Sequence, residues 1–176
     1  EAGAVGGTAA DDKNFGHSYN ALAQLGMHEQ FDYYDGGGLD LTVLGLAQAD
    51  SHGNLNVSKF NGKVAGCGGF INITATAKRV VFAGTFTAGG LEVEFVDGAV
   101  RVVTEGRIRK FVRDVEQVTF SGAQATRNAQ KVVYVTERAV FELVDGVMTL
   151  TEIAPGIDLQ TQILDQMDFV PAIGSE

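Results

Sequence analysis

A single cysteine, Cys67, stands among 176 residues, so no disulfide can close within the chain. No apolar run approaches the roughly 18 residues that a membrane-spanning helix needs. Basic residues are few: 13 Lys and Arg against 22 Asp and Glu give a net charge of -9 and a pI near 4.7. A nucleic-acid groove needs a basic stripe to displace counterions from phosphate, and that reading falls. His17, His28 and His52 are scattered without metal-ligand spacing and read as surface or turn residues. No repeat, low-complexity linker or signal peptide is visible. Glu1 is not an initiator methionine, so the missing leader excludes little, and the natural start can lie upstream. What remains is a folded protein of a reducing cytoplasm, with small-molecule or protein partners and neither nucleic acid nor membrane.

Hydrophobic residues make up 45% and charged residues 20%, ordinary globular values. At this length a single domain buries roughly 70% of its unfolded surface, so a real core can form. Glycine clusters punctuate the chain. Glu1-Ala2-Gly3-Ala4-Val5-Gly6-Gly7 sets one carboxylate before backbone with little side-chain bulk, where a large ligand can approach closely and the acid can react as a nucleophile. A helix is predicted within Tyr19 to Glu29. Gly36-Gly37-Gly38 then leads into Leu39 to Ala49, a nearly continuous apolar run of the kind found in buried strands of parallel or mixed sheets. Leu55-Asn56-Val57 returns from the turn cluster 50–54 as a hairpin partner.

A second cluster, Gly62 to Phe70, leaves backbone amides available to a ligand, with a short helix expected from Ile73 to Ala77 and a strand from Arg79 to Gly84. Asp97-Gly98 and Asp145-Gly146 are two-residue hairpin signals, joining Leu91–Val96 to Ala99–Thr104 and Val140–Val144 to Val147–Ile153. Further strands are expected at Gln117 to Phe120 and Lys131 to Thr136. After Pro155-Gly156 an amphipathic helix is predicted from Leu159 to Met167, with Ile163, Leu164 and Met167 on one face. Cys67 reads as a small space-filler, since no histidine partners it at a recognisable spacing. The basic group Arg107, Arg109, Lys110 and Arg113 fits the phosphates of a ligand or an acidic neighbouring subunit.

Several ordered stretches resemble the C-terminal, β-type half of class I coenzyme A transferases of the propionate, acetate and acetoacetate type. They are the opening heptapeptide, Tyr34-Asp35-Gly36-Gly37-Gly38-Leu39-Asp40-Leu41, Gly66-Cys67-Gly68-Gly69-Phe70-Ile71-Asn72, Phe82-Ala83-Gly84-Thr85-Phe86-Thr87-Ala88-Gly89-Gly90 and Val135-Thr136-Glu137-Arg138-Ala139-Val140-Phe141. The resemblance covers nearly the whole chain. It implies an α/β fold, a mostly parallel open sheet flanked by helices with added β-hairpins, in which residues 1–176 are the β-type domain without its upstream segment and the α-type half.

The resemblance further implies that Glu1 is the catalytic glutamate, with coenzyme A as substrate and no tightly bound cofactor. Acyl-CoA and a short-chain carboxylate would exchange in ping-pong fashion through a γ-glutamyl-CoA thioester. Gly68 and Gly69 match the motif whose amides would hold the oxyanion and touch CoA, and Gly36, Gly37 and Gly38 could line a CoA channel or simply turn the chain into a strand. Asn72 stands where some relatives carry aspartate. An acyl-CoA thioesterase, or a CoA-binding module without turnover, is the alternative. Expected partners are the α-type half or a companion chain and further copies in a homo-oligomer, with an exposed apolar surface left for the missing half.

One more expectation attaches to Glu1. Once activated, its γ-carbonyl lies within five-membered-ring reach of its own backbone nitrogen. Attack there and hydrolysis of the resulting imide would sever a longer chain at this position and leave pyroglutamate.

Overall fold

The computed structural model describes residues 2–14 and 16–174, apart from the side chain of Asp12. Four two-residue strands come first: β1 (Ala4–Val5), β2 (Thr8–Ala9), β3 (Ser18–Tyr19) and β4 (Ala23–Gln24). They fold back as a ribbon in which β1 pairs with β4 and β2 with β3. Helix α1 (Met27–Asp35) leads to β5 (Leu41–Gly45), followed by two small antiparallel pairs, β6 (Gln48–Ala49) with β7 (Leu55–Asn56) and β8 (Lys59–Phe60) with β9 (Lys63–Val64). Next come α2 (Phe70–Ala75), β10 (Arg79–Ala83), and β11 (Thr87–Ala88), β12 (Glu92–Val96), β13 (Ala99–Thr104) and β14 (Ile108–Arg109), with the β12/β13 hairpin nested inside the β11/β14 pair. Helix α3 (Gly122–Arg127), strands β15 (Lys131–Val135), β16 (Ala139–Val144) and β17 (Val147–Ile153), helix α4 (Leu159–Gln162) and β18 (Ala172–Ile173) complete the chain.

Six strands form the central sheet in the order β18-β17-β16-β15-β10-β5. β5, β10 and β15 run parallel, with α2 and α3 in the crossovers between them; β15, β16 and β17 are antiparallel neighbours, and β18 joins β17 in parallel. The sequence expectation of an α/β fold holds. Both Asp-Gly hairpins form with two positive φ angles, 52° and 78° at Asp97-Gly98 and 50° and 80° at Asp145-Gly146, as their right-handed twist demands.

Alternation along the strands sends Val80, Phe82, Val132, Tyr134 and Phe141 to one face, where Phe70 of α2, Ala125 of α3 and Ile163 and Met167 pack against them. Phe82 stacks on Phe70 at 5.6 Å and meets Phe120 edge-on at 5.0 Å, while Phe86, Phe111 and Phe141 form a second aromatic group. Such pairs add about 0.5–1.5 kcal/mol each beyond burial. The opposite face is only partly covered, most openly at β5. Leu41 and Val43 are 53% and 60% exposed, and Val43, Val81 and Val133 stand in register as one apolar row. The run Leu39 to Ala49 predicted burial on both faces; this chain covers one more fully than the other.

Local corrections have identifiable causes. The apolar run does not continue as one strand: Gln48–Ala49 leaves the sheet to pair with Leu55–Asn56, so only its end makes the expected hairpin. No helix spans Tyr19 to Glu29, because the backbone of Leu22 and Leu25 bonds to the carbonyls of Val5 (2.8 Å) and Gly3 (2.9 Å), and tertiary pairing outranks a weak helical period. The helix begins at Met27. Gln117 to Phe120 supplies a bridge from Phe120 to Leu55 rather than a strand. The segment Leu159 to Met167 breaks after Gln162 into a 3-10 turn, Leu164–Gln166, yet Ile163 and Met167 face the core as expected.

Candidate active site

The peptide that follows Glu1 is held from three directions. Gly3 N–H donates to Gln30 Oε1 at 2.8 Å, Leu25 N–H donates to Gly3 O at 2.9 Å, and the Gln24 side-chain amide donates to Ala2 O. Gln30 is a buried polar residue of α1, and this bond engages its side-chain oxygen. Sequence reading did not single it out, since one glutamine in a helix of mixed polarity carries no signal. Glu1 itself lies outside the described residues. The expected roles of Glu1 as nucleophile beside the Gly68 and Gly69 amides, and in ring closure on its own nitrogen, therefore fall on a residue outside that description.

Beside this anchored peptide opens a cavity of about 700 Å³. Ala2, Ala4, Gly6 and Gly7 of the ribbon form one side, Met27 at the start of α1, Leu44 near the carboxyl end of β5 and Ile73 of α2 form the other, and His17 and Ser18 add polar atoms. The carboxyl end of parallel strands is where open α/β sheets receive ligands, because the connecting loops diverge there.

Gly69 is the N-cap residue of α2, and its carbonyl accepts from Ile73 N–H at 2.9 Å, one turn along at the cavity wall. Gly68 before it has φ of +52°. Two amides of this loop are committed: those of Ala65 and Gly66 both donate to Ser58 O. Cys67 is half-buried against the core, the space-filler expected.

Gly36, Gly37 and Gly38 lie elsewhere. They terminate α1, with amides donating to the carbonyls of Asp32, Tyr34 and Tyr33, and they precede the amino end of β5, whereas Leu44 lines the cavity near its carboxyl end. A side chain at Gly38 would meet the Tyr33 ring within 2.5 Å. The structure thus gives this triplet a helix-ending and strand-entering job away from the cavity. Asn72 donates to both carboxylate oxygens of Asp35 (3.0 and 3.1 Å), tying α2 to α1; an aspartate there would repel its partner.

Two of the four residues in the basic group, Arg109 and Lys110, are bonded internally. Arg109 bonds Asp168 Oδ1 and Asp165 O, both at 2.8 Å, and Lys110 Nζ donates to Leu46 O (3.1 Å) and Thr85 Oγ1 (3.0 Å) at the carboxyl ends of β5 and β10. Burial pushes the Lys110 ammonium below its ordinary pKa, against an opposing pull from Glu137. Arg138, unremarked in the sequence beyond its stretch, is fully buried. Its guanidinium takes Glu105 on two nitrogens (2.7 and 3.1 Å), Glu137 at 2.7 Å and Gln162 O at 3.0 Å, and lies 4.9 Å over the Phe86 ring. Glu137 also accepts from Phe86 N–H at 2.8 Å, and Glu105 from Thr87, so this hub fixes the segment leaving β10. Among the described residues no group of His, Cys, Asp and Glu could hold a metal ion.

No family profile matches the sequence. Individual proteins do. Caffeate CoA-transferase of Acetobacterium woodii is 56% identical over 181 residues, covering 100% of this chain and 34% of that protein. The crystal structure of the acyl-CoA transferase YdiF from E. coli O157:H7, a thioester complex with CoA, superposes with a TM-score of 0.92 at 50% identity, over 99% of this chain and 33% of that one. The chain belongs to the coenzyme A transferase family. A more distant member, the acetate CoA-transferase β subunit of Escherichia coli K12, is 33% identical over 72% of this chain and 49% of its own, in line with the β-type assignment. The chain spans about a third of the length of its nearer relatives in this family. No described helix is long and apolar enough to cross a membrane.

Proposed function

We propose that this chain is the glutamate-bearing part of an acyl-CoA:carboxylate CoA-transferase of short-chain acids, working in the cytoplasm with coenzyme A as a substrate. The observation that carries the reading is the cavity beside Ala2: a carboxylate one residue away from a peptide held by Gln24, Leu25 and Gln30 would meet a ligand at the carboxyl end of the parallel strands. The relatives' activities support it.

In the proposed sequence the Glu1 carboxylate attacks the acyl-CoA thioester carbonyl, forming an acyl-glutamyl anhydride and releasing CoA thiolate. The thiolate attacks the glutamyl carbonyl, expelling the first acid as its carboxylate and leaving γ-glutamyl-CoA. An incoming carboxylate then runs the steps backwards with its own acyl group. Each attack places negative charge on a tetrahedral oxygen, for which the amides of Gly68 and Gly69 are our candidate donors; one such donor is worth about 100 to 1,000 in rate. A glutamate is a weak nucleophile, and the binding energy of the CoA body offsets distortion at the reacting carbon.

The partly exposed row Val43-Val81-Val133 has its place in this reading. Parallel strands are ordinarily covered on both faces, and we assign the cover to the remainder of the longer protein. The test is exchange of labelled acetate into a panel of acyl-CoAs by the full-length protein. Exchange that disappears in Glu1→Ala, with CoA found covalently attached to the unaltered protein, is the expected result. Hydrolysis without exchange would move the reading to a thioesterase, and neither with any short-chain acid would sink it.

A further inference from the structure

His17 is the one ionisable side chain among the described residues that line the cavity. Its backbone is fixed, with N–H donating to Asn14 O at 3.1 Å and O accepting from Ala10 N–H at 3.0 Å, so the residue is placed rather than loose. Its imidazole is exposed and has no hydrogen bond or ion pair among the described residues. The other polar lining side chain, Ser18, is already spent: its hydroxyl donates to Gly6 O at 2.8 Å and also lies 3.3 Å from Thr8 O. The rest of the lining is alanine, glycine and three apolar walls.

An anion entering such a cavity loses water and needs a donor in exchange. Backbone amides of the ribbon are partly committed to its own pairing. We propose that His17 is a specificity-determining residue whose imidazole N–H binds the carboxylate of the acid substrate while Met27, Leu44 and Ile73 take its alkyl chain. This rests on the transferase reading of the same cavity and names the group that orients the acid within it. A neutral imidazole keeps one N–H and a protonated one has two, so a donor is present in either state.

The test uses the full-length protein. In ping-pong kinetics kcat/KM for the acid reports the half-reaction that the acid enters. His17→Ala should lower it about 10- to 100-fold for butyrate, the range for a hydrogen bond to a charged group, with an unchanged melting midpoint. His17→Gln, which keeps an N–H donor, should recover most of the loss. In parallel, the imidazole nitrogen resonance of His17 in the unaltered, histidine-labelled protein should shift on adding butyrate and stay put with butyramide. If exchange is absent but butyrate still moves the resonance, the contact stands and the transferase reading fails. A His17→Ala enzyme within twofold of the parent for every acid, or a resonance indifferent to butyrate, overturns the proposal.

Discussion

Arg138→Met should be among the most damaging single changes in this chain. Methionine fills much of the same apolar path, but it removes the donors that meet Glu105, Glu137 and Gln162 O and leaves two carboxylates facing each other. The arginine side chain is 0% exposed, that of Glu137 11% and that of Glu105 29%. Breaking a buried pair from one side costs about 3–5 kcal/mol. Water reaching Glu105 recovers part of this, so about 3 kcal/mol is expected, read from urea unfolding of the 176-residue chain by linear extrapolation. Adding Glu105→Gln and Glu137→Gln to Arg138→Met should restore stability, because the stranded charges are then gone. The pH dependence has a definite sign. Burial pushes the Glu105 carboxyl up, but hydrogen bonds from Arg138 and Thr87 and the arginine charge outweigh it and hold the pKa below its ordinary 4.5. A depressed folded-state pKa stabilises above the unfolded value and loses that contribution as pH falls through the folded one. The gap between parent and Arg138→Met should therefore be full above about pH 4.5 and narrow below it. A loss under about 1 kcal/mol at neutral pH, or a gap that widens in acid, would refute the reasoning.

Gly122→Ala places a methyl group in the first turn of α3, where alanine ordinarily gains about 1 kcal/mol over glycine. Here the new Cβ would fall 2.0 Å from His52 O, a backbone atom, so the unfolding midpoint should drop; a rise would show that this turn yields more easily than its packing suggests. Asp40→Asn removes the 2.6 Å pair with Lys78, whose side chains are 84% and 72% exposed, and thermal unfolding at low and high salt should not register the change.

The parts legible in the sequence were those whose cause is local. Asp97-Gly98 and Asp145-Gly146 dictate their turns through backbone geometry, and Val147–Ile153 forms over the residues that its β-branched pattern marks. The ribbon was not legible, because β1 to β4 are made of residues such as Ala, Thr, Ser and Gln, and each strand exists only through a partner well separated in sequence. Arg138 was missed for a related reason. A Glu-Arg pair between two strands looks like a solvated turn, and its burial depends on groups distant in sequence: Glu105, 33 residues upstream, the Phe86 ring and Gln162 O. The Gly68-Gly69 element was visible as a motif, and its place at the head of α2 follows from the Phe70 and Ile73 anchors.

The ribbon constrains how such a site could be re-engineered. A Cβ at Gly3 would stand 2.0 Å from Leu25 O, and one at Gly7 2.3 Å from Tyr19 O, both main-chain atoms, at φ of +91° and +75°. At these two positions peptide groups are in contact, and any side chain would force the strands apart. A mutant library seeking new ligands for the cavity should therefore leave Gly3 and Gly7 alone and randomise Met27, Leu44 and Ile73, since the tunable volume of the cavity sits on the walls contributed by α1, β5 and α2.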